Sequence, residues 1–370
     1  MQRKIFTITF LLLSCYLIAQ EKCGTTAITK YMMDTYPNYR IEKEKVNAET
    51  EKWIEENYHK GEKTIINIPV VVHVVWKTSE ENISDSRIYE QIEILSNDFR
   101  RTNLDAINPS GQVWWGIAAD CEIEFCLAQT DPNGNVTSGI IRKETSISQF
   151  TMWGGSSVKD EADAWPKDDY LNIWVCNLGN TGLLGYADPP SGFMGPDNGV
   201  VINYLNFGLT SSPQYGKGRT ATHEVGHWLN LDHIWGDNNC GDDNVTDTPE
   251  QEGSNDGCPA FPHNPNSCST TNPNGDMFMN YMDYTNDFCM NLFTQGQKAR
   301  MISAINLYRP NMLSHNLCNG GTNISEEIPK EKKLIKIIDL LGREVKPSNL
   351  NSTLFYIYDD GSVIKKFIFK

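Results

Sequence analysis

An eleven-residue window holds three of the chain's seven histidines, and it constrains the fold more than any other stretch. His223 and His227 stand four apart in Thr222-His223-Glu224-Val225-Gly226-His227. On a helix that spacing puts both imidazoles on one face, where they can share one ion. His233 follows six residues after His227. It can join them only if the helix ends soon and the chain turns back sharply. Such a turn needs a positive φ, which Gly accepts freely and Asn better than most residues. Asn230 is placed to make it. With 7 His in 370 residues, a His at any one further position arises by chance about once in fifty. Three neutral imidazoles with a fourth position open describe catalytic zinc, because structural zinc is closed by four protein ligands. Glu224 is not needed to hold a metal. Beside the first ligand it can take a proton from water and hand it to a leaving amine, so the pattern reads as hydrolytic.

The composition fits an exported protein. Lys plus Arg is 32 and Asp plus Glu is 47, a formal charge of −15, which argues against a nucleic-acid partner. Ten Cys are too many for a reducing compartment. Residues 1–19 read as a signal peptide: Arg3 and Lys4, an apolar run from Ile5 to Ile18, then Leu17-Ile18-Ala19 before a cut at Gln20. That run is too short to span a bilayer, and no later segment is apolar enough, so no integral membrane segment is expected. Acylation at Cys15 is the alternative, and Leu13 directly before Ser14 is atypical for it.

Residues 20–64 are polar and of mixed charge, a short pro-segment rather than a domain. Ile65 to Trp76 is a β-branched run that implies a strand buried on both faces. Ile88, Ile92, Leu95 and Phe99 then recur at helical spacing behind a cap at Ser84 or Asp85. Cys121–Ala128 alternates as a half-exposed strand, and Tyr170–Cys176 and Val200–Tyr204 read as two buried ones. Thr220–Leu231 is the helix that carries the histidines. From Asn238 to Tyr284 the chain is rich in Asn, Gly, Asp, Pro and Cys and shows no periodicity, so it needs staples. A last helix starts at Thr294, where Gln297 completes a capping box, and stops at Pro310. The domain at 65–314 is followed by a linker at 315–332 and a small β unit at 333–370. Hard oxygens at Asp242, Asp243, Asp247 and Thr248 suit calcium.

The window His223–His233 (HEVGHWLNLDH) resembles the metzincin stretch H-E-x-x-H-x-x-G-x-x-H, with the Val-Gly and Trp-Leu fillings of the pappalysin family. Asn280-Tyr281-Met282-Asp283-Tyr284 is similar to the pappalysin Met-turn, and Phe293, Thr294, Gln297, Arg300 and Met301 continue the likeness. One departure is Asn230, where the family has Gly. The resemblance spans about residues 65–310 and implies an α+β fold. A metzincin-type catalytic domain, with a twisted mixed sheet, a backing helix and an active-site helix, precedes an irregular disulfide-stapled subdomain and the all-β tail. It implies zinc on His223, His227 and His233, Glu224 as general base and acid, Met282 as the structural Met beneath the metal, and Tyr284 as the oxyanion stabiliser. Asp287 matches the acidic residue that receives a basic side chain after the scissile bond.

For Cys240, Cys258, Cys268 and Cys289, spacing alone leaves three pairings open. The family favours Cys240–Cys268 with Cys258–Cys289. It also places calcium near Asp243 and Thr248. Cys121, Cys126, Cys176 and Cys318 have no partner that the sequence identifies. Nine Cys remain after the signal peptide, an odd number, and Cys23 in Lys22-Cys23-Gly24-Thr25 stands apart from the others. Its thiolate could fill the fourth zinc position and hold a zymogen latent, as in bacterial relatives with a short Cys-Gly pro-segment. The segment from Lys333 resembles a type IX secretion sorting tail, which implies secretion machinery as a partner and release or surface attachment outside the cell. The expected function is a secreted zinc endopeptidase acting on proteins or peptides before Arg or Lys. The rivals are a non-catalytic metal-binding or adhesion protein on the same scaffold, against which Glu224 and Tyr284 argue, and a zinc hydrolase of non-peptide bonds.

Overall fold

A computed structural model describes residues 22–57, 64–107, 109–152, 157–179, 182–268, 272–319, 334–339, 343–345, 352–358 and 363–368. The signal peptide and most of the linker lie outside the described residues. The chain divides into two compact units, Met1–Gly321 and Thr322–Lys370.

The first unit is built on β1 (Ile66–Trp76), which is buried without interruption from Ile68 to Val75. Its neighbours explain why. β2 (Ile123–Leu127) and β3 (Ile140–Glu144) lie end to end along one edge of β1, and β4 (Leu171–Cys176) along the other, all parallel. β6 (Gly199–Asn203) continues parallel to β4, and β5 (Gly185–Ala187) closes that side antiparallel to β6. A central strand with partners on both edges and layers on both faces leaves an exposed polar side chain only near its end, as at Asn67. Val70, Val72 and Val74 enter one core, while Val75 enters a second with Trp174, Cys176 and Val201. Burying each such valine contributes about 1.5–3 kcal/mol.

The first core lies between the sheet and three helices. α3 (Asp85–Phe99) begins at Ser84, whose side chain caps Arg87 N, and it presents Ile88, Ile92, Leu95 and Phe99 to the sheet. α4 (Arg219–Trp228) carries Ala221, Val225 and Trp228 into the same core. Asp98 on α3 binds the two helices together: its carboxylate accepts from Arg219, from the Thr222 hydroxyl and from the Tyr281 hydroxyl. α5 (Gln295–Tyr308) starts with the Thr294–Gln297 capping box and packs Met301 and Ile305 into the core. Between α4 and α5 the described residues contain no helix or strand.

Two features escaped the periodicity reading. β3 and β5 are short and lie beside longer strands, so they carry little pattern of their own. Residues 315–318, linker by composition, are held to the first unit: Cys126 bonds Cys318, Gln129 N donates to Leu317 O, and His315 Nε2 lies 2.9 Å from Asp169 Oδ1. Before the sheet, α1 (Thr25–Thr35) and α2 (Tyr39–Asn57) form the N-terminal segment.

The second unit is an antiparallel meander of β7 (Leu334–Ile338), β8 (Ser352–Tyr358) and β9 (Val363–Ile368). Ile337 and Leu354 are buried in it. Arg343 N donates to Asp339 Oδ1 in the connection after β7.

Candidate active site

α4 ends at Trp228, three residues earlier than the sequence pattern suggests. The reason is the turn that follows: Asn230 takes φ 74°, and Leu231 N reaches back to Gly226 O. The reversal brings His233 against the helix. The Nε2 atoms of His223, His227 and His233 stand 3.1–3.2 Å apart in all three pairings. Each Nδ1 is occupied elsewhere. That of His223 lies 2.8 Å from Tyr281 O, that of His227 2.7 Å from Leu231 O, and that of His233 2.6 Å from Asp237 Oδ1.

These contacts decide the tautomers. A ring nitrogen facing a carbonyl or carboxylate must donate, so each Nδ1 carries the proton and each Nε2 presents a lone pair. Three converging lone pairs repel unless a cation sits among them. Burial opposes protonation as the remedy: it lowers His223 well below its ordinary value and His227 to about 3. The donor set therefore fits a divalent metal that takes neutral imidazole, which is how zinc is held in catalytic sites.

Glu224 is fully buried beside this centre, and desolvation pushes its carboxyl up to about 8. Met282 lies beneath α4, where Gly226 makes room for it: a Cβ at that position would stand 2.5 Å from the Met282 sulfur. Tyr284 packs its ring against His223, His233 and Trp235. Asp287 lines the same cavity as Glu224, Tyr284, Tyr215 and Arg219. Its Oδ2 accepts from Lys217 N and Arg219 N at the start of α4, and burial pushes the carboxyl up to about 6.

The N-terminal segment enters this centre. Cys23 pairs parallel with Gly185, Gly24 N donates to Gly185 O, and Leu184 N donates to Lys22 O, so residues 22–24 lie along the β5 edge. The ligand atoms of Cys23, His223, His227 and His233 fall within 4.8 Å of one another. Cys23 Sγ is 3.4 Å from Glu224 Oε2, and the Thr25 hydroxyl donates to the same oxygen at 3.1 Å. Burial first and the Glu224 charge second raise the Cys23 thiol well above its ordinary value. Only a metal at the histidines would make this thiolate favourable.

The irregular half is stapled by Cys240–Cys268 and Cys258–Cys289. Cys126 and Cys318, for which the sequence offers no partner, bond each other, while Cys121 and Cys176 are buried thiols. Asp243 is buried, accepts from the Thr248 hydroxyl and Val245 N, and is pushed up to about 7, mainly by desolvation. Asp247 is committed elsewhere: it accepts from Thr294 Oγ1 and Gly296 N at the start of α5.

The profile of peptidase family M43, described as pregnancy-associated plasma protein-A, matches residues 155–306. An extracellular metalloprotease of Arthroderma otae is 30% identical over 253 residues, which cover 66% of this chain and 79% of the relative. This chain belongs to the pappalysin family. A promirolysin mutant of Tannerella forsythia is similar in structure, with a TM-score of 0.68, 45% identity, and coverage of 79% of this chain and 96% of that one. Mature mirolysin of the same organism, in complex with a cleaved peptide, matches with a TM-score of 0.60 and 48% identity over 67% of this chain and 98% of that one. As a pappalysin the chain is a zinc metalloendopeptidase, and its curated relatives are extracellular. Among the described residues no helix is long and apolar enough to cross a membrane.

Three contributors to the site were missed at the sequence level. Gly226 was read as filling, although a Gly inside a buried helix face signals close approach by another group. Thr25 carries no signal of its own beyond its place after Cys23-Gly24. Asp237 sits in a Gly-Asp-Asn-Asn run whose composition says only that the chain turns.

Proposed function

We propose that this pappalysin is made as a latent zymogen that cleaves peptide bonds before Arg or Lys once residues 20–64 are removed. The observation that carries the reading is Cys23 Sγ converging with three histidine nitrogens while its flanking residues lie along β5. A substrate strand would need the same edge, and the catalytic carboxylate would need to be free of Thr25. The two mirolysin comparisons support it: coverage of this chain is 79% for the pro-form and 67% for the mature form, a difference about the length of the N-terminal helical segment.

Zinc, when bound, polarises the scissile carbonyl and acidifies water. The chain's own residues do the rest. Glu224 takes a proton at its carboxylate and returns it to the leaving nitrogen. A carboxyl pushed up to about 8 without metal is easily protonated, and a neighbouring cation brings it back toward the ionised form needed to act as a base. The Tyr284 hydroxyl faces the developing oxyanion, and the Asp287 carboxylate receives the basic side chain after the cut bond through a charge-assisted hydrogen bond. Met282 floors the site. Calcium at Asp243 and Thr248 belongs to the same reading, because a buried carboxyl pushed up to about 7 is one that a cation would stabilise. The signal peptide directs export, and the tail at 333–370 acts as a secretion address used for release or surface attachment.

The test pairs two variants in a peptide-library digest read by mass spectrometry. Glu224→Ala should retain one zinc per chain and lose activity by about three orders of magnitude or more. Cys23→Ala should be active at once, or process itself faster. A fully active Glu224→Ala protein would remove the mechanism, and unchanged latency in Cys23→Ala would remove the zymogen reading.

A further inference from the structure

We propose that Asp237 is a positioning residue for the metal ligand His233, fixing its ring and raising its basicity as the charged member of an Asp–His–metal relay. This rests on the zinc reading of the site.

The three ligands are supported unequally. His223 and His227 donate their Nδ1 protons to backbone carbonyls of Tyr281 and Leu231, which are neutral. His233 donates to a carboxylate, Asp237 Oδ1, at 2.6 Å. The same nitrogen lies 3.1 Å from Thr26 Oγ1, a hydroxyl of the N-terminal segment that departs if the segment is removed. Two features call for such a partner. His233 lies beyond the end of α4, so no helix sets its ring as α4 sets the other two. Its position depends on the Asn230 reversal and on stacking over Trp235 at 4.3 Å. A carboxylate at Nδ1 also pushes electron density toward Nε2, which strengthens the bond to a cation there. The imidazole is fully buried while the Asp237 side chain is 31% exposed, so water screens the carboxylate in part and its hydrogen bond to Nδ1 carries most of the effect. Asp237 itself sits at φ 56°, a backbone conformation that Asp tolerates better than most residues. Holding that conformation for a solvent turn alone would not require a carboxylate aimed at the imidazole.

Gly and Asn both accept a positive φ, so Asp237→Gly and Asp237→Asn remove the carboxylate without straining the turn. Zinc affinity of the full chain is measured by competition with a chelator, and the melting temperature of the metal-free protein is recorded alongside. Asp237→Gly should bind zinc about 10–100-fold more weakly, with the metal-free melt unchanged. Asp237→Asn should fall between, because its amide oxygen still accepts but carries no charge. Thr26→Val should change affinity less than either. Wild-type affinity in both Asp237 variants would overturn the proposal and leave the Trp235 stack as what holds the ring. A metal-free melt that drops in step with affinity would also overturn it, since the residue would then be structural. If the wild-type chain holds no stoichiometric zinc, the zinc reading itself has failed.

Discussion

The sheet-and-helix half, up to α4, and the irregular half, from 229 to 293, meet at the histidines and are stabilised by different means. In the first half, strands with apolar residues on both faces pack against α3 and α4, and the same residues that set the secondary structure fill the core. In the second half Leu229, Leu231, Tyr281, Met282, Met290 and Phe293 reach into that same core, and the other buried apolar residues form a smaller cluster around Ile234, Trp235, Met277, Phe278 and Met279. Its backbone geometry is fixed by two disulfides and by buried polar side chains. Asp283 is the clearest case: it accepts from Gln251, from Asn255 through both backbone and side chain, and from Tyr284 N. A hydrophobic layer can bury a helix stripe or a strand face. A loop offers neither, so cross-links and satisfied polar groups must do the same task. The comparison teaches that both sides of the site share one core, and that the irregular side is held in addition by individual bonds.

That contrast can be broken at its weakest point first. Removing one staple with Cys258→Ser and Cys289→Ser together should cost roughly 3 kcal/mol. The effect should be local: hydrogen exchange should rise around residues 251–292 while β1 and β4 stay protected. Uniform loss across both halves would show that they unfold as one. Next in size, Val72→Ala in the central strand should cost about 2 kcal/mol and act globally, lowering protection in both halves together. Protection lost only in the sheet would contradict the shared core.

The smallest effect sharpens the contrast at the cavity. Asp287→Asn should reduce the preference for Arg or Lys over a neutral residue after the cut bond about tenfold, or about 1.4 kcal/mol. The sign with pH follows from its carboxyl, pushed up to about 6 by burial. Below that value the group is neutral and above it charged, so the ratio of kcat/KM for basic over neutral substrates should climb between about pH 5 and 7. Taking the ratio cancels the titration of Glu224. A ratio flat with pH in the wild type, or a slope that survives in Asp287→Asn, would reject the assignment.

What the sequence made legible follows the same division. β1, α3, β4, β6 and α5 could be read because burial writes a period into the chain, and Thr294 with Gln297 marked where α5 starts. The convergence of His223, His227 and His233 could be read because a spacing of four fixes two of them, and positive φ at Asn230 is needed for the third. Cys126 and Cys318 could not be paired: the disulfide joins residues 192 apart, and they meet only because the segment after α5 returns past the end of β2, where Gln129 N donates to Leu317 O. Asp237 was opaque for a related reason. Nothing periodic connects it to His233, and its part emerges only when the turn has folded.

The same disulfide has a mechanical consequence. The chain leaves the first unit just after Cys318, and Cys126 lies on β2, paired in register with Pro69 of the central strand. A pull on the C-terminal side of the molecule therefore enters the sheet sideways, through two sulfur atoms and a ladder of parallel strands. The pull does not have to run back through α5, the Met-turn or the histidines. Load applied to the chain beyond Cys318 thus passes into the buried strands, and the loops that hold the histidines lie off its path.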